Sequence, residues 1–344
     1  MPAKLALPAW SVIALVLAGV APAETVRQLR PFRAYDFRAE GHDTPVVVTA
    51  VAISPDGSQV AASGDDHGVR LWTLASGQQP ELLRGHEGWV RALAFDGETR
   101  RLASVGDDRR LNIWNLADNQ TSLVNNDAQG PIGSVAFLPG GQQLLTAAYG
   151  DQVRLLNLSS GMIDKRFACP CQDTRVMAVS PDGRWMAAAG RNGTLRLWDL
   201  TTGEEGRDIP ADTQRLQAIA FSPDGKRVAT GGNGPRVRLW DLESGDLAGE
   251  LHTRPAKVRS LLFLDDNRLL SGGTDNRIHV WDLRTELPTH RLVGHTGTVA
   301  VMAVDAAGET LVSAGFDTTV LLWRAPKTPA AAATADAGSD EVTR

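Results

Sequence analysis

Residues 216–251 read LQAIAFSPDGKRVATGGNGPRVRLWDLESGDLAGEL. The run 216–222 has the apolar content of a short strand. Pro223-Asp224-Gly225 stops it with a tight turn: proline presets φ, and glycine accepts the positive φ that follows. A second strand is expected over 227–231. The corner Gly232-Asn233-Gly234 leads to a third over 237–240, where apolar and polar residues alternate as in a half-buried strand. The turn Glu243-Ser244-Gly245 precedes a shorter fourth strand near 247–251. Four such strands make one twisted sheet, which cannot bury both of its faces alone.

The same unit recurs along the chain. Trp72, Trp114, Trp198, Trp240, Trp281 and Trp323 close six similar segments, and Leu156 takes that place in a seventh. The successive spacings are 42, 42, 42, 42, 41 and 42 residues. A fixed period of this length marks a repeat architecture in which neighbouring sheets stack around an axis.

At these residues the chain resembles the WD-repeat family, in an exported, bacterial-type form. Trp-Asp stands at 198–199, 240–241 and 281–282, and Gly-His at 85–86 and 294–295. Ser-Pro-Asp-Gly stands at 54–57, 180–183 and 222–225. The resemblance covers about residues 34 to 324. It implies an all-β fold, a seven-bladed β-propeller of four-stranded antiparallel blades, with the domain placed at 24–324. It further implies a buried structural network in some blades: His86, Ser104, Asp108 and Trp114 in blade 2, and His295, Ser313, Asp317 and Trp323 in blade 7. Blade 6 keeps Ser271, Asp275 and Trp281 but has Arg254 at the histidine position, while blades 4 and 5 are expected to lack the network. A catalytic triad of His86, Ser104 and Asp108 is rejected, because the set recurs in blade 7 and its tryptophan explains it as buried polar structure. No fourth strand is available after Trp323. Residues 34–38 are therefore expected to pair beside 320–323 and close the ring with both termini.

The ends read differently. Lys4, an apolar run over 5–20 and Ala21-Pro22-Ala23 have the layout of a secretory signal peptide, residues 1–23, with cleavage before Glu24. A periplasmic or secreted protein with no membrane segment in its mature chain is expected. Residues 325–344 are Ala, Pro, Thr and small polar residues without apolar period, and are expected to be a disordered tail.

The chain of 344 residues has a formal charge of −5, without the basic excess of a nucleic-acid binder. It carries no phosphate loop, zinc helix or haem-attachment motif, so neither cofactor nor metal is expected. The enzyme alternative is a lactonase or a quinoprotein-like propeller. It would rest on a Thr202-Gly203 turn or on axial carboxylates such as Asp65 and Asp107. Cys169-Pro170-Cys171 stands where other units place Gly-His. A strained disulfide, a redox or metal site and two plain thiols are the open readings; an oxidising compartment favours the first. The expected function is a non-catalytic scaffold that binds a protein or peptide, acidic in character, on one end face. The residues assigned to that face are Trp89, Arg91, Tyr149, Arg175, Arg191, Arg215, Gln217, Lys257, Arg259 and Phe316. Cations gather there on blades 4 to 6, and the aromatics supply anchors of the kind that dominate binding hot spots.

Overall fold

The computed structural model describes residues 26–37, 46–97, 100–118, 120–125, 128–150, 152–169, 171, 173–203, 206–253 and 256–327. The strands gather into seven sheets. Two N-terminal strands come first, β1 (Arg27–Leu29) and β2 (Arg33–Asp36). Blade 1 is β3 (Val48–Ile53), β4 (Gln59–Gly64), β5 (Val69–Thr73) and β6 (Glu81–Leu83). Blade 2 is β7 (Val90–Phe95), β8 (Arg101–Gly106), β9 (Leu111–Asn115) and β10 (Gln120–Asn125). Blade 3 is β11 (Ile132–Phe137), β12 (Gln143–Ala148), β13 (Gln152–Asn157) and β14 (Ile163–Ala168). Blade 4 is β15 (Val176–Val179), β16 (Trp185–Ala189), β17 (Thr194–Asp199) and β18 (Arg207–Pro210). Blade 5 is β19 (Leu216–Phe221), β20 (Arg227–Gly232), β21 (Arg236–Asp241) and β22 (Leu247–His252). Blade 6 is β23 (Val258–Asp265), β24 (Arg268–Gly273), β25 (Arg277–Asp282) and β26 (Leu287–Val293). Blade 7 is β27 (Val299–Val304), β28 (Thr310–Gly315) and β29 (Thr319–Arg324).

The fold is the expected seven-bladed β-propeller of four-stranded antiparallel blades. Strands β3, β7, β11, β15, β19, β23 and β27 each lie beside the first strands of the two neighbouring blades, and β27 returns to β3 to complete the ring. The core lies between blades. Val60, Ala62 and Trp72 of blade 1 pack on Val312, Ala314, Val320 and Leu322 of blade 7, for example. The Ser-Pro-Asp-Gly turns form as read. Gly57, Gly183 and Gly225 have φ of 68°, 73° and 67°, the left-handed region that glycine enters without strain.

Ring closure uses the N-terminal segment. Strand β2 pairs antiparallel with β29, Arg33 to Leu322 through Asp36 to Thr319, and so supplies the fourth strand of blade 7. Phe37, fully buried, follows it into the seam with blade 1. Strand β1 was not expected. It adds a fifth strand to blade 6, parallel to β26, with Arg27 opposite His290 and Leu29 opposite Leu292. Three residues in that stretch had no alternation to read, which hid it.

The expected signal peptide, the site of cleavage before Glu24, Arg38 of the expected closing strand, Arg254 and residues 328–344 of the expected tail lie outside the described residues. Ala325 and Pro326 are bonded to the propeller. The Ala325 amide donates to the Glu309 carbonyl at 2.8 Å, and Arg268 donates to the Pro326 carbonyl. No helix among the described residues is long and apolar enough to cross a membrane.

Candidate interaction face

The ends of the blades are fixed by buried polar chains. In blade 2, Trp114 Nε1 donates to Ser104 Oγ at 2.9 Å. Ser104 Oγ lies 2.7 Å from His86 Nε2, and His86 Nδ1 donates to Asp108 at 2.8 Å. An ionised carboxylate only accepts, so a neutral imidazole satisfies every atom when the serine hydroxyl donates to Nε2. Blade 7 repeats the chain through Trp323, Ser313, His295 and Asp317, at 2.8, 2.8 and 2.9 Å. Burial alone would raise both carboxyls. The hydrogen bond from histidine, with those from the Glu87 amide in blade 2 and the Thr296 amide in blade 7, outweighs burial and holds them below their ordinary value.

Blades 5 and 6 rebuild the pair rather than lose it. In blade 6, Asp275 accepts from His279 Nε2 at 2.7 Å, so the base moves from the loop to strand β25, and Trp281 still donates to Ser271 at 2.8 Å. Blade 5 reverses the order. Asp212 in the loop accepts from Arg238 of strand β21 at 3.0 Å, and Trp240 donates to Thr230 at 2.9 Å. Gly234 leaves room for that acid, since a Cβ there would lie 2.3 Å from Asp212 Oδ2. The expectation that blade 5 lacks a network is corrected on these bonds. A motif read at fixed positions does not see an acid and a base that exchange sides.

The face itself comes from bulges. The pairing of first and second strands slips between Val48 and Ala50, Val90 and Ala92, Ile132 and Ser134, Leu216 and Ala218, Val258 and Ser260, and Val299 and Val301. The skipped residues are Thr49, Arg91, Gly133, Gln217, Arg259 and Ala300. Arg175, immediately before β15, holds the same register in blade 4. A bulge removes one residue from the ladder and re-aims its side chain. Here it sets one residue per blade around the mouth of the axis. A second circle lies outside it, tied by amide-to-carbonyl bonds such as Asp107 to Trp89, Tyr149 to Pro131, Asn233 to Arg215, Thr274 to Lys257 and Phe316 to Thr298, at 2.7–3.1 Å.

The two circles bring most of the expected face residues together. Arg91 pairs with Asp107 through two bonds of 2.8 and 2.5 Å and covers the Trp89 ring at 4.8 Å. Its bond to Asp107 raises its pKa further. Arg175 lies over the Tyr149 ring at 4.5 Å. Gly133 permits this, because a Cβ there would meet Tyr149 Cε1 at 2.5 Å. Burial raises the Tyr149 phenol against the opposing pull of Arg91 and Arg175. Gln217 Nε2 donates to Asn233 Oδ1 at 2.5 Å, and Arg259 Nη1 donates to Gln217 Oε1. Arg191 and Lys257 are exposed, as are Trp89 and Phe316. Phe316 stands apart, on blade 7.

One residue was missed. Asp173 accepts from Arg175 Nε at 2.9 Å and from Arg215 Nη2 at 3.0 Å, so two of the gathered cations share one acid. It holds the register of Trp89 and Arg215, 42 residues before Arg215. That spacing was the signal available. The axial carboxylates of the enzyme alternative are also committed: Asp65 accepts from the Val47 amide at 3.0 Å, and Asp107 is held by Arg91. Cys169 and Cys171 are joined as a disulfide with Cα atoms 5.2 Å apart, fully buried beside Phe167, Met177 and Trp198.

The nucleolar protein 10-like family, N-terminal domain, matches residues 44–334. The chain belongs to this family. Its matches to curated relatives are short. It is 31% identical over 85 residues to the ribosome biogenesis protein YTM1 of Chaetomium globosum, 22% of this chain and 17% of that protein. It is 33% identical over 61 residues to the U3 snoRNP-associated protein-like EMB2271 of Arabidopsis thaliana, 18% and 13% of the two chains. It is 37% identical over 59 residues to a Lissencephaly-1 homolog of Monosiga brevicollis, 17% and 14%. The chain thus spans less than a fifth of the length of these relatives. Membership of a family described by a nucleolar protein, with relatives named for ribosome biogenesis and the U3 snoRNP, contradicts the expected periplasmic or secreted location and the exported, bacterial-type form. Both are withdrawn. The compartment argument for the Cys169–Cys171 bond falls with them.

Proposed function

We propose that the chain is a non-catalytic interaction scaffold that presents the arginine-rich end face to a protein partner. The observation that carries this reading is the ring of bulges. Six blades re-aim one residue each toward the same end of the axis, and the residues so gathered include Arg91 and Arg259, with Arg175 in the same register. Exposed Trp89 lies under Arg91. Guanidiniums and aromatic rings are the groups that dominate protein hot spots. The relatives named for ribosome biogenesis and for the U3 snoRNP support a role inside a larger assembly. A net charge of −5 supports a protein partner over a nucleic acid, which would call for a basic footprint.

Clustered cations raise the local concentration of anionic groups and speed encounter. The partner surface is therefore acidic, and binding weakens with salt, since exposed charges are screened beyond about 8–10 Å at moderate ionic strength. Arg215→Glu with Arg259→Glu, assayed by affinity capture from the protein's own cells, should reduce recovery of the native partners and leave the circular dichroism and melting curve of the propeller intact. Recovery of the same proteins at the same affinity would exclude this face.

A further inference from the structure

We propose that Arg259 is a seat for one carboxylate, the aspartate or glutamate side chain of an acidic partner segment that enters the mouth of the axis over blades 5 and 6. This rests on the face proposed above and names both the group it takes and the residue that takes it.

A guanidinium drawn half out of water is ordinarily matched by an acid. The neighbouring arginines conform: Arg91 has Asp107, and Arg175 and Arg215 share Asp173. Arg259 has no acid among the described residues. Its one protein acceptor is the neutral Gln217 amide oxygen, and its Nε is buried without a hydrogen bond. Burial, and then the positive charge of Arg215, both disfavour its charged form. Four guanidiniums face two carboxylates here, and Arg259 is the one that bonds neither. Its position is fixed. Gln217 is held by Asn233, and Arg259 is locked to Gln217 across the seam between blades. The free edge at Nη2 is the end of a rigid fork of the kind that takes a carboxylate.

The surroundings decide between a carboxylate and a phosphate chain. Only Arg259 among the guanidiniums of the mouth lacks an acid, so the site takes one carboxylate rather than several phosphates in register. Exposed Lys257 and Arg191 extend the positive field outward, so further acids of a segment gain from it where a lone chain terminus does not.

The test is fluorescence anisotropy with the full chain and three labelled probes: hexaglutamate with an amidated C-terminus, hexaglutamine with a free C-terminus, and hexauridylate. Hexaglutamate is expected to bind, and Arg259→Gln to weaken it about tenfold or more, the loss expected when a charge-assisted hydrogen-bonded pair goes. Arg259→Lys should lie between, because it keeps the charge and loses the fork. Arg259→Gln removes an unmatched charge, so its melting temperature should not fall. Equal hexaglutamate affinity in Arg259→Gln, no binding of hexaglutamate at all, hexaglutamine binding as well as hexaglutamate, or tighter binding of hexauridylate would each overturn the proposal. The two readings fail separately. Lost native capture in the double variant with hexaglutamate affinity unchanged in Arg259→Gln removes the seat and keeps the face. Retained capture with Arg259-dependent hexaglutamate binding does the reverse.

Discussion

Among single residues, the blade networks show how one role is filled in several ways. In blades 2, 5, 6 and 7 an acid and a base pair beside the closing tryptophan, and their order varies. Loop histidine with corner aspartate serves blades 2 and 7, corner aspartate with strand histidine serves blade 6, and loop aspartate with strand arginine serves blade 5. Each arrangement gives the acid a hydrogen bond from the base, so the carboxylate is never left without a donor. Asp317 accepts from His295, the Thr296 amide and Thr319, and its side chain is 5% exposed. Asp317→Ala should cost about 1–3 kcal/mol, because those donors stay buried without an acceptor. Asp199 binds Arg184 and Thr201 at a wetter turn, so Asp199→Ala should cost less. Equal losses in urea melts of the two variants would count against the assignment. The same carboxyls set an acid limit. Asp108 and Asp317 titrate below their ordinary value of 3.8 in the folded protein. Their contribution is therefore complete above about pH 5 and is lost as pH falls below about 4 toward their folded values. Stability measured from pH 7 to pH 3 should fall less steeply for Asp317→Asn than for the natural protein.

At the scale of the element, the bulged first strand links fold to face. The sequence showed the strand itself: the run read over 216–222 and the turn after it match β19, which ends one residue earlier, at Phe221. It did not show that one residue per strand leaves the ladder, because a bulge changes pairing and not composition. Arg91, Gln217 and Arg259 are the residues skipped at their bulges, with Arg175 at the same 42-residue register, and Arg259 bonds Gln217 across a seam. Their partners were less legible. Asp173 lay at a readable register, but a contact between loops of adjacent blades depends on side-chain reach, which periodicity does not encode. Gly133 illustrates the dependence. Its missing Cβ lets Tyr149 lie over blade 3 toward Arg175. Gly133→Val should push that ring outward, free Arg175 from it and lower hexaglutamate affinity little, since Arg259 stands elsewhere on the ring. A collapse of affinity in this variant equal to that in Arg259→Gln would show that the mouth responds as one unit and that the seat is not local.

The whole molecule is a closed ring, so its stability depends on where it is sealed. Blades 1 to 6 each take four successive strands, whereas blade 7 borrows β2 from the far end of the chain. That strand carries more than backbone pairing. Tyr35 lies 5.1 Å from the Trp72 ring of blade 1, Phe37 lies 6.0 Å from it, and the Arg70 guanidinium covers Phe37 at 4.2 Å. The segment therefore fastens blade 7 to blade 1 as well as completing blade 7. Strand β1 has a smaller part, a parallel pairing along the outer edge of blade 6 that shields β26. Graded deletion separates the two. Removing residues 24–30 takes away β1 alone and should lower stability modestly. Removing residues 24–38 also takes β2 and Phe37, and loss of a buried phenylalanine by itself costs about 3–5 kcal/mol. It further leaves the open edge of β29 as a template for pairing with other chains. The longer deletion should melt far lower and elute as oligomers in gel filtration, while the shorter one stays monodisperse. Matching melting curves for the two would mean that the seal between blades 7 and 1 is held by β27 and β3 alone, and that β2 decorates a ring already closed.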